Sequence, residues 1–448
     1  MTPIQTNPLA LFNLRESPYF QESLQESGRY PLSWFVGRED AATALLRKIE
    51  MGPGGTRQTI RGPAGVGKST LAQYVKAEAA KRFAILTVSA PASLGSAITT
   101  DQICAQILRR VLDALFLGAK ARGVDVEGAP AVRQASQLVR IYRTTTGRSG
   151  GAGALGVSAS AGSADTLVTP SAASPSIVIQ DLLPSLMDTA RDELGATGIL
   201  LHLNNLDNIP PDQADRAAVI LRDLRDTALM IDGYHWLVVG TDDAVRTIVD
   251  GAQQLRSVFH KPPALAPLTI AELTALLDKR YSELRADRAQ PVQRPVDPDA
   301  VTDLYRVYDG DLRGTFEVLD AAILELLGTS MNGAYAPLSL RDMGPFLTSW
   351  TRDGAKSQLE ESGLDDLTSV ALTYADTPFT RLMVQQDILH TTNNATGTTF
   401  INRLLHFGYI RQHSELLQGA KGRPAVQYII TGATRLVAGA AYTPDSSI

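Results

Sequence analysis

Residues 62–70, GPAGVGKST, restrict what this chain can fold into more than any other stretch. Gly62, Gly67, Lys68 and Ser69 occupy the four fixed places of the G-x-x-x-x-G-K-[ST] phosphate loop. Glycines at that spacing let the backbone curl until its N–H groups converge on a polyphosphate, and a helix starting there turns its positive end toward the same anion. In such a loop Gly62, Pro63, Ala64, Gly65, Val66, Gly67, Lys68, Ser69 and Thr70 surround the phosphates. Lys68 reaches the outer ones and Ser69 ligates Mg²⁺. A chance glycine-rich turn would lack the right flanks. Here QTIR at 58–61 reads as a short strand, and Leu71, Ala72, Val75, Ala79 and Phe83 fall on one helical face. Strand, loop and helix come in the order that phosphate binding requires, which predicts an α/β domain with a parallel sheet flanked by helices, binding ATP and Mg²⁺.

A chain of 448 residues exceeds one core, so two or three domains are expected. The net charge of −5 gives no general attraction to nucleic acid or to an anionic membrane, and any such contact must be local. Cys104 is the single cysteine; it excludes an internal disulfide and reads as a small buried apolar residue. No basic segment followed by an apolar run opens the sequence, and no stretch approaches 18 apolar residues. The expectation is a cytoplasmic protein without membrane contact.

Composition divides the chain further. Residues 1–30, with Pro3, Pro8 and Pro18, read as an arm packed on the surface of a core spanning 31–265. Within that core, 19 of the 29 residues from 148 to 176 are Gly, Ala or Ser, too little side chain to offset the entropy of ordering. A mobile insertion is favoured there over a small hairpin carrying Leu155 and Val157. Helices and turns over 266–335 read as a lid, and 336–448 as a separate unit.

FVGRE at 35–39, then a helix over about 40–50, then the phosphate loop, resembles the opening of AAA+ ATPases of the origin-initiator type and of the related STAND signalling ATPases. By that resemblance Phe35, Val36 and Gly37 line the base pocket. The run GILLHLNNLDN at 198–208 stands where those ATPases keep the acid that supports Mg²⁺, after four apolar residues. Here the two acid places hold Asn204 and Asn205, and an amide supplies neither the charge nor the basicity of a carboxylate. Asp207 could substitute as a metal ligand, or could simply cap the next helix. His202 within the run reads as a core histidine.

Thr241 and Asp242, after the apolar run HWLVVG, match the first sensor position of that family; Arg256 matches the finger that reaches a neighbour's nucleotide, which implies a homo-oligomer. Arg313, in the turn GDLRG at 310–314, matches the second sensor, and like Lys68 it would touch the phosphates.

Short helices at 379–384, 385–391 and 398–407, then strands at 408–411 and 427–431, read as a winged helix-turn-helix. Between 377 and 441 there are six Lys or Arg against two Asp or Glu. On duplex DNA, Thr398, Thr399, Asn402 and Arg403 would face bases, with Lys421 and Arg423 on phosphates. Two functions follow from the resemblance. One is an ATP switch or ATPase that couples nucleotide state to DNA binding through the winged helix, as regulator or loader in a DNA-processing or defence system; the other is an ATP-dependent oligomerising signalling scaffold with little hydrolysis, whose winged helix contacts protein.

Overall fold

A computed structural model of the chain describes residues 8–26, 28–95, 98–149, 174–204, 206, 209, 214–262, 264–328, 336–375, 377–413 and 426–439. Asn205, Asp207, Lys421, Arg423 and nearly all of the 148–176 stretch lie outside those residues. The contacts divide the chain into two compact units, one of Ser23–Pro63 with Gly67–Ala266, the other of Met1–Glu22, Ala64–Val66 and Pro267–Ile448.

The first unit runs α1 (Glu39–Met51), β1 (Arg57–Arg61), α2 (Lys68–Phe83), β2 (Ile85–Thr87), β3 (Ala92–Ser93), α3 (Thr100–Arg122), α4 (Pro130–Ser149) and α5 (Pro175–Leu194). It continues with β4 (Gly198–Asn204), α6 (Ala214–Leu224), β5 (Tyr234–Gly240), α7 (Asp242–Val245) and α8 (Gln253–Arg256). The strands pair in the order β1-β5-β4-β2, with β3 beside β4, and every pair is parallel. β5 is buried along its whole length, His235 included, as a strand covered on both faces requires. Register sets Arg61 opposite Gly240 and Leu203 opposite Val238, so the carboxyl ends of β1, β5 and β4 share one edge. Local chemistry starts and stops the helices. Thr99 and Gln102 form a reciprocal capping box at the start of α3, and Gly123, at φ 68°, ends it. Ile107, Leu108, Val111 and Leu115 of α3 meet Leu183 and Leu186 of α5 in the core, where Cys104 is also buried.

The second unit contains α9 (Ile270–Glu283), α10 (Pro298–Val307), α11 (Leu312–Gly328) and the 34-residue α12 (Leu340–Thr373). β6 (Phe379–Thr380), α13 (Arg381–Asp387), α14 (Asn394–His406), β7 (Ile410–His413), β8 (Gln427–Ile430) and α15 (Gly432–Val437) follow. Residues 8–22 are part of this unit's core rather than an arm laid on a surface. Phe12, Leu14 and Tyr19 are no more than 1% exposed. Tyr19 Oη bonds Tyr281 Oη at 2.7 Å, and Arg280 lies over the Phe20 ring while donating to the carbonyls of Pro18 and Phe20. The apolar side chains of this segment follow neither a helical nor a strand period, so nothing local announces their burial.

The winged helix also differs in its parts from the sequence expectation. Phe379 and Thr380 form an edge strand in an antiparallel β6-β8-β7 sheet, not the start of a helix. Glu360, at φ 66°, kinks α12, and its second half supplies the first of the three helices. α14 begins at Asn394, four residues early, because Asn393 caps it through Ala395 N–H and Gly397 lets it approach α13; a Cβ there would lie 2.2 Å from Gln385 Cγ. No described helix is long and apolar enough to cross a membrane.

Candidate nucleotide-binding site

The phosphate loop leaves β1 at the carboxyl edge of the sheet, where ligands of parallel α/β folds bind. Its glycines are required by conformation. Gly62 has φ 153°, and a Cβ on it would meet the Leu265 carbonyl at 2.6 Å; Gly67, at φ 88°, is the left-handed residue from which α2 departs. No atom comes within 4 Å of a Cβ placed on Gly67, so the ground above the start of α2 is open. Lys68, only 7% exposed, donates from Nζ to the carbonyls of Gly62 (3.0 Å) and Pro63 (2.8 Å), which fixes an ammonium inside the curl of the loop. Ser69 and Thr70 are half-buried in the first helical turn, whose N–H groups have no partner within the helix. Donors, a cation and a helix dipole therefore converge on one place, which is the chemistry an oxyanion of high charge needs.

Ala64–Val66 belong to the second unit, and there a Cβ on Gly65 would fall 1.6 Å from Asp311 Oδ1. Asp311 accepts from the N–H groups of Arg313 (2.9 Å) and Gly314 (3.2 Å) and so opens α11, leaving the Arg313 side chain exposed.

The expected base pocket has a partner that the sequence reading missed. The Phe35 ring stacks on Tyr74 of α2, with centroids 4.0 Å apart and planes 13° from parallel. Gly37 is buried at φ 83°, and its N–H is shared by both carboxylate oxygens of Glu39 at 3.1 Å. Val36 is half-buried between them. Tyr74 was legible only as an aromatic six residues beyond Lys68 on a helix with a mild apolar stripe.

Asn204 ends β4 with its carbonyl accepting from Leu94 N–H, two strands from β1, or about 10 Å at ordinary strand spacing. Thr241 caps α7 through Ala244 N–H, and Asp242 pairs with Arg61 at 3.3 Å. Arg256 is exposed, and its Nε and Nη2 both donate to the Asp250 carbonyl. Among the described residues no cluster of His, Cys, Asp and Glu could hold a metal. Of the two predicted metal ligands, only Ser69 is described.

Behind the loop, Lys76 of α2 is 2% exposed and donates to the carbonyls of Val88 and Ser89. Burial, and then Arg110, push its pKa from 10.5 to about 7. His202, fully buried, is held well below its ordinary value by burial and then by Lys76. Because the folded pKa of Lys76 lies below the unfolded one, the unfolded chain binds more protons between these values. The cost of burying the ammonium is therefore complete below about pH 7 and fades toward 10.5. Stability contributed by this site should rise with pH across that window, and Lys76→Met should lose the rise. Urea midpoints of both proteins at neutral and alkaline pH decide it; an equal rise in both removes the assignment.

No family model and no curated protein sequence matches the chain. Solved structures do. The Aeropyrum pernix ORC1 protein in complex with DNA aligns at 12% identity over 90% of this chain and 92% of that one, with a TM-score of 0.44. The ADP form of the Aeropyrum pernix ORC2 protein gives 16% identity, 92% of each chain and 0.44. Cdc6p from Pyrobaculum aerophilum gives 12%, 96% and 97%, and 0.38. The likeness to these ORC and Cdc6 structures is one of fold.

On α14, Thr399 and Asn402 are exposed, whereas Thr398 Oγ1 bonds the Asn394 carbonyl and accepts from Arg381. Arg403 is turned away from the exposed face, donating to the Gln358 carbonyl of α12.

Proposed function

We propose that the chain is an ATP-binding switch whose nucleotide state governs its winged helix on duplex DNA, in a loading or regulatory role. The observation that carries the reading is the phosphate loop, in which three glycines at positive φ, Gly62, Gly65 and Gly67, and the carbonyl-held Lys68 ammonium surround the start of α2. The Phe35–Tyr74 stack supports an aromatic base beside it. Ser69 would hold Mg²⁺, which when bound neutralises charge on the outer phosphates. Thr241 and Asp242 would sense the nucleotide from the tip of β5 and Arg313 from α11, while Arg256 would serve a neighbouring copy.

A specific observation favours the scaffold reading as the second. Each described basic residue between 377 and 441 has an internal partner: Arg381 on Thr398, Arg403 on Gln358, and Arg411 and Arg435 on Asp309. DNA contact would then rest on Thr399, Asn402, Lys421 and Arg423. Two lysine or arginine contacts to phosphate give a slope of log K against log salt of roughly −2. The deciding experiment measures duplex binding by the whole protein at several salt concentrations, with and without ATP, together with ATP turnover. ATP-dependent binding with that slope supports the DNA switch; tight ATP binding with no DNA affinity at low salt supports the scaffold.

A further inference from the structure

Within the second unit, the winged helix meets the turn that follows α10, and that turn has an unusual backbone. α10 ends at Val307, and the chain then passes through Asp309 at φ 51° and Gly310 at φ 79° before Asp311 opens α11. A non-glycine residue in the left-handed region costs about 1 kcal/mol or more and persists where surroundings hold it. Here the surroundings come from the winged helix. Asp309 Oδ2 meets Arg411 of β7 at 3.1 Å, and Oδ1 meets Arg435 of α15 at 3.3 Å. Arg435 also donates to the Val307 carbonyl, one of the last acceptors of α10. Gly432, the first residue of α15, lies so close that a Cβ would stand 2.4 Å from the Val307 carbonyl oxygen and 2.8 Å from Tyr308 Cα. The Asp309 and Arg435 side chains are 23% and 17% exposed, so the pair is partly desolvated and stronger than an ordinary surface ion pair.

We infer that Asp309 is a positioning residue: gripped by Arg411 and Arg435, it sets the turn from which Arg313 projects, so that nucleotide occupancy and winged-helix docking are coupled. The inference rests on Arg313 sensing nucleotide, as proposed above. Its reasoning is geometric. Asp309 and Arg313 are four residues apart, and the intervening backbone is closed by bonds from Gly310 N–H to Tyr305, Asp311 N–H to Tyr308 and Thr315 N–H to Asp311. A turn tied at both ends moves as one piece. Any shift of Arg313 toward phosphate must therefore work on the Asp309 ion pairs, and release of the winged helix must loosen Arg313. Linkage makes the coupling reciprocal.

Hydrogen–deuterium exchange of the full-length protein, with and without ATP, tests this alongside the ATP dissociation constant. In the wild type, ATP should slow exchange at 62–70 and also alter it over 426–439. Asp309→Asn keeps a residue that tolerates the left-handed backbone but removes the charge. It should retain the response at 62–70, lose that at 426–439, and bind ATP about fivefold more weakly or worse. Should that variant fold poorly, the double variant Arg411→Gln, Arg435→Gln removes the grip from the other side and should give the same pattern. An unaltered 426–439 response in either variant overturns the coupling, as does a wild type that responds at 62–70 alone. A wild type with no response at 62–70 instead rejects the ATP reading on which the coupling stands.

Discussion

Lys68→Ala is expected to raise the dissociation constant for ATP by about thirtyfold or more, because truncating one side of a buried charge interaction costs roughly 2–5 kcal/mol. Two losses combine. The ammonium that would meet the outer phosphates disappears, and the Gly62 and Pro63 carbonyls lose the donor that holds the loop in its curl. Arginine would not restore it, since a planar fork does not fit where a compact ammonium bridges two carbonyls. The same substitution should hardly change thermal stability without nucleotide. Lys68 is an ion held by two carbonyls at a helix start, and removing it also removes its desolvation cost. Isothermal titration with ATP, beside melting curves of the ligand-free proteins, separates the two effects. Equal ATP affinity in wild type and variant would place the nucleotide elsewhere, and a protein that no longer folds would show that Lys68 is structural.

The second large effect concerns the segment 8–22. Tyr19→Ala should destabilise the protein by about 3–5 kcal/mol, the range for emptying a buried aromatic site. Tyr19 is wholly buried, tilted against Phe316 at 5.7 Å and edge-on to Tyr281 at 6.5 Å. Its loss also leaves the buried Tyr281 hydroxyl without this partner, a cost of about 1–3 kcal/mol that Tyr19→Phe isolates. Urea unfolding followed by circular dichroism reads both. A change under about 1 kcal/mol for Tyr19→Ala would return the segment to the surface role that its composition suggested.

These two expectations mark the boundary between what neighbours in the chain specify and what distant residues specify. The phosphate loop was legible because its conformation is set within nine residues: glycines supply the left-handed positions, and the following amphipathic run supplies the helix. β4 and β5 were legible because a strand buried on both faces is a mostly apolar run whatever it pairs with, each here interrupted by a single buried histidine. The helix starts at Thr99 and Thr269 were equally local, each a side chain answering a backbone N–H three residues on. Phe35 was singled out by resemblance; Tyr74, on which its ring stacks, had no local sign of that contact.

Sequence alone therefore determined the loop, the buried strands and most helices. Tertiary structure alone decided that β5 lies between β1 and β4, that residues 8–22 enter a core formed more than 250 positions away, and that Arg403 faces α12 while Arg411 and Arg435 grip Asp309. The reason is one of range. Turn chemistry and periodicity act over a few residues and leave a mark in composition. Strand order and the direction of an arginine depend instead on which surfaces meet once the chain has collapsed, and a single sequence carries no periodic trace of that choice.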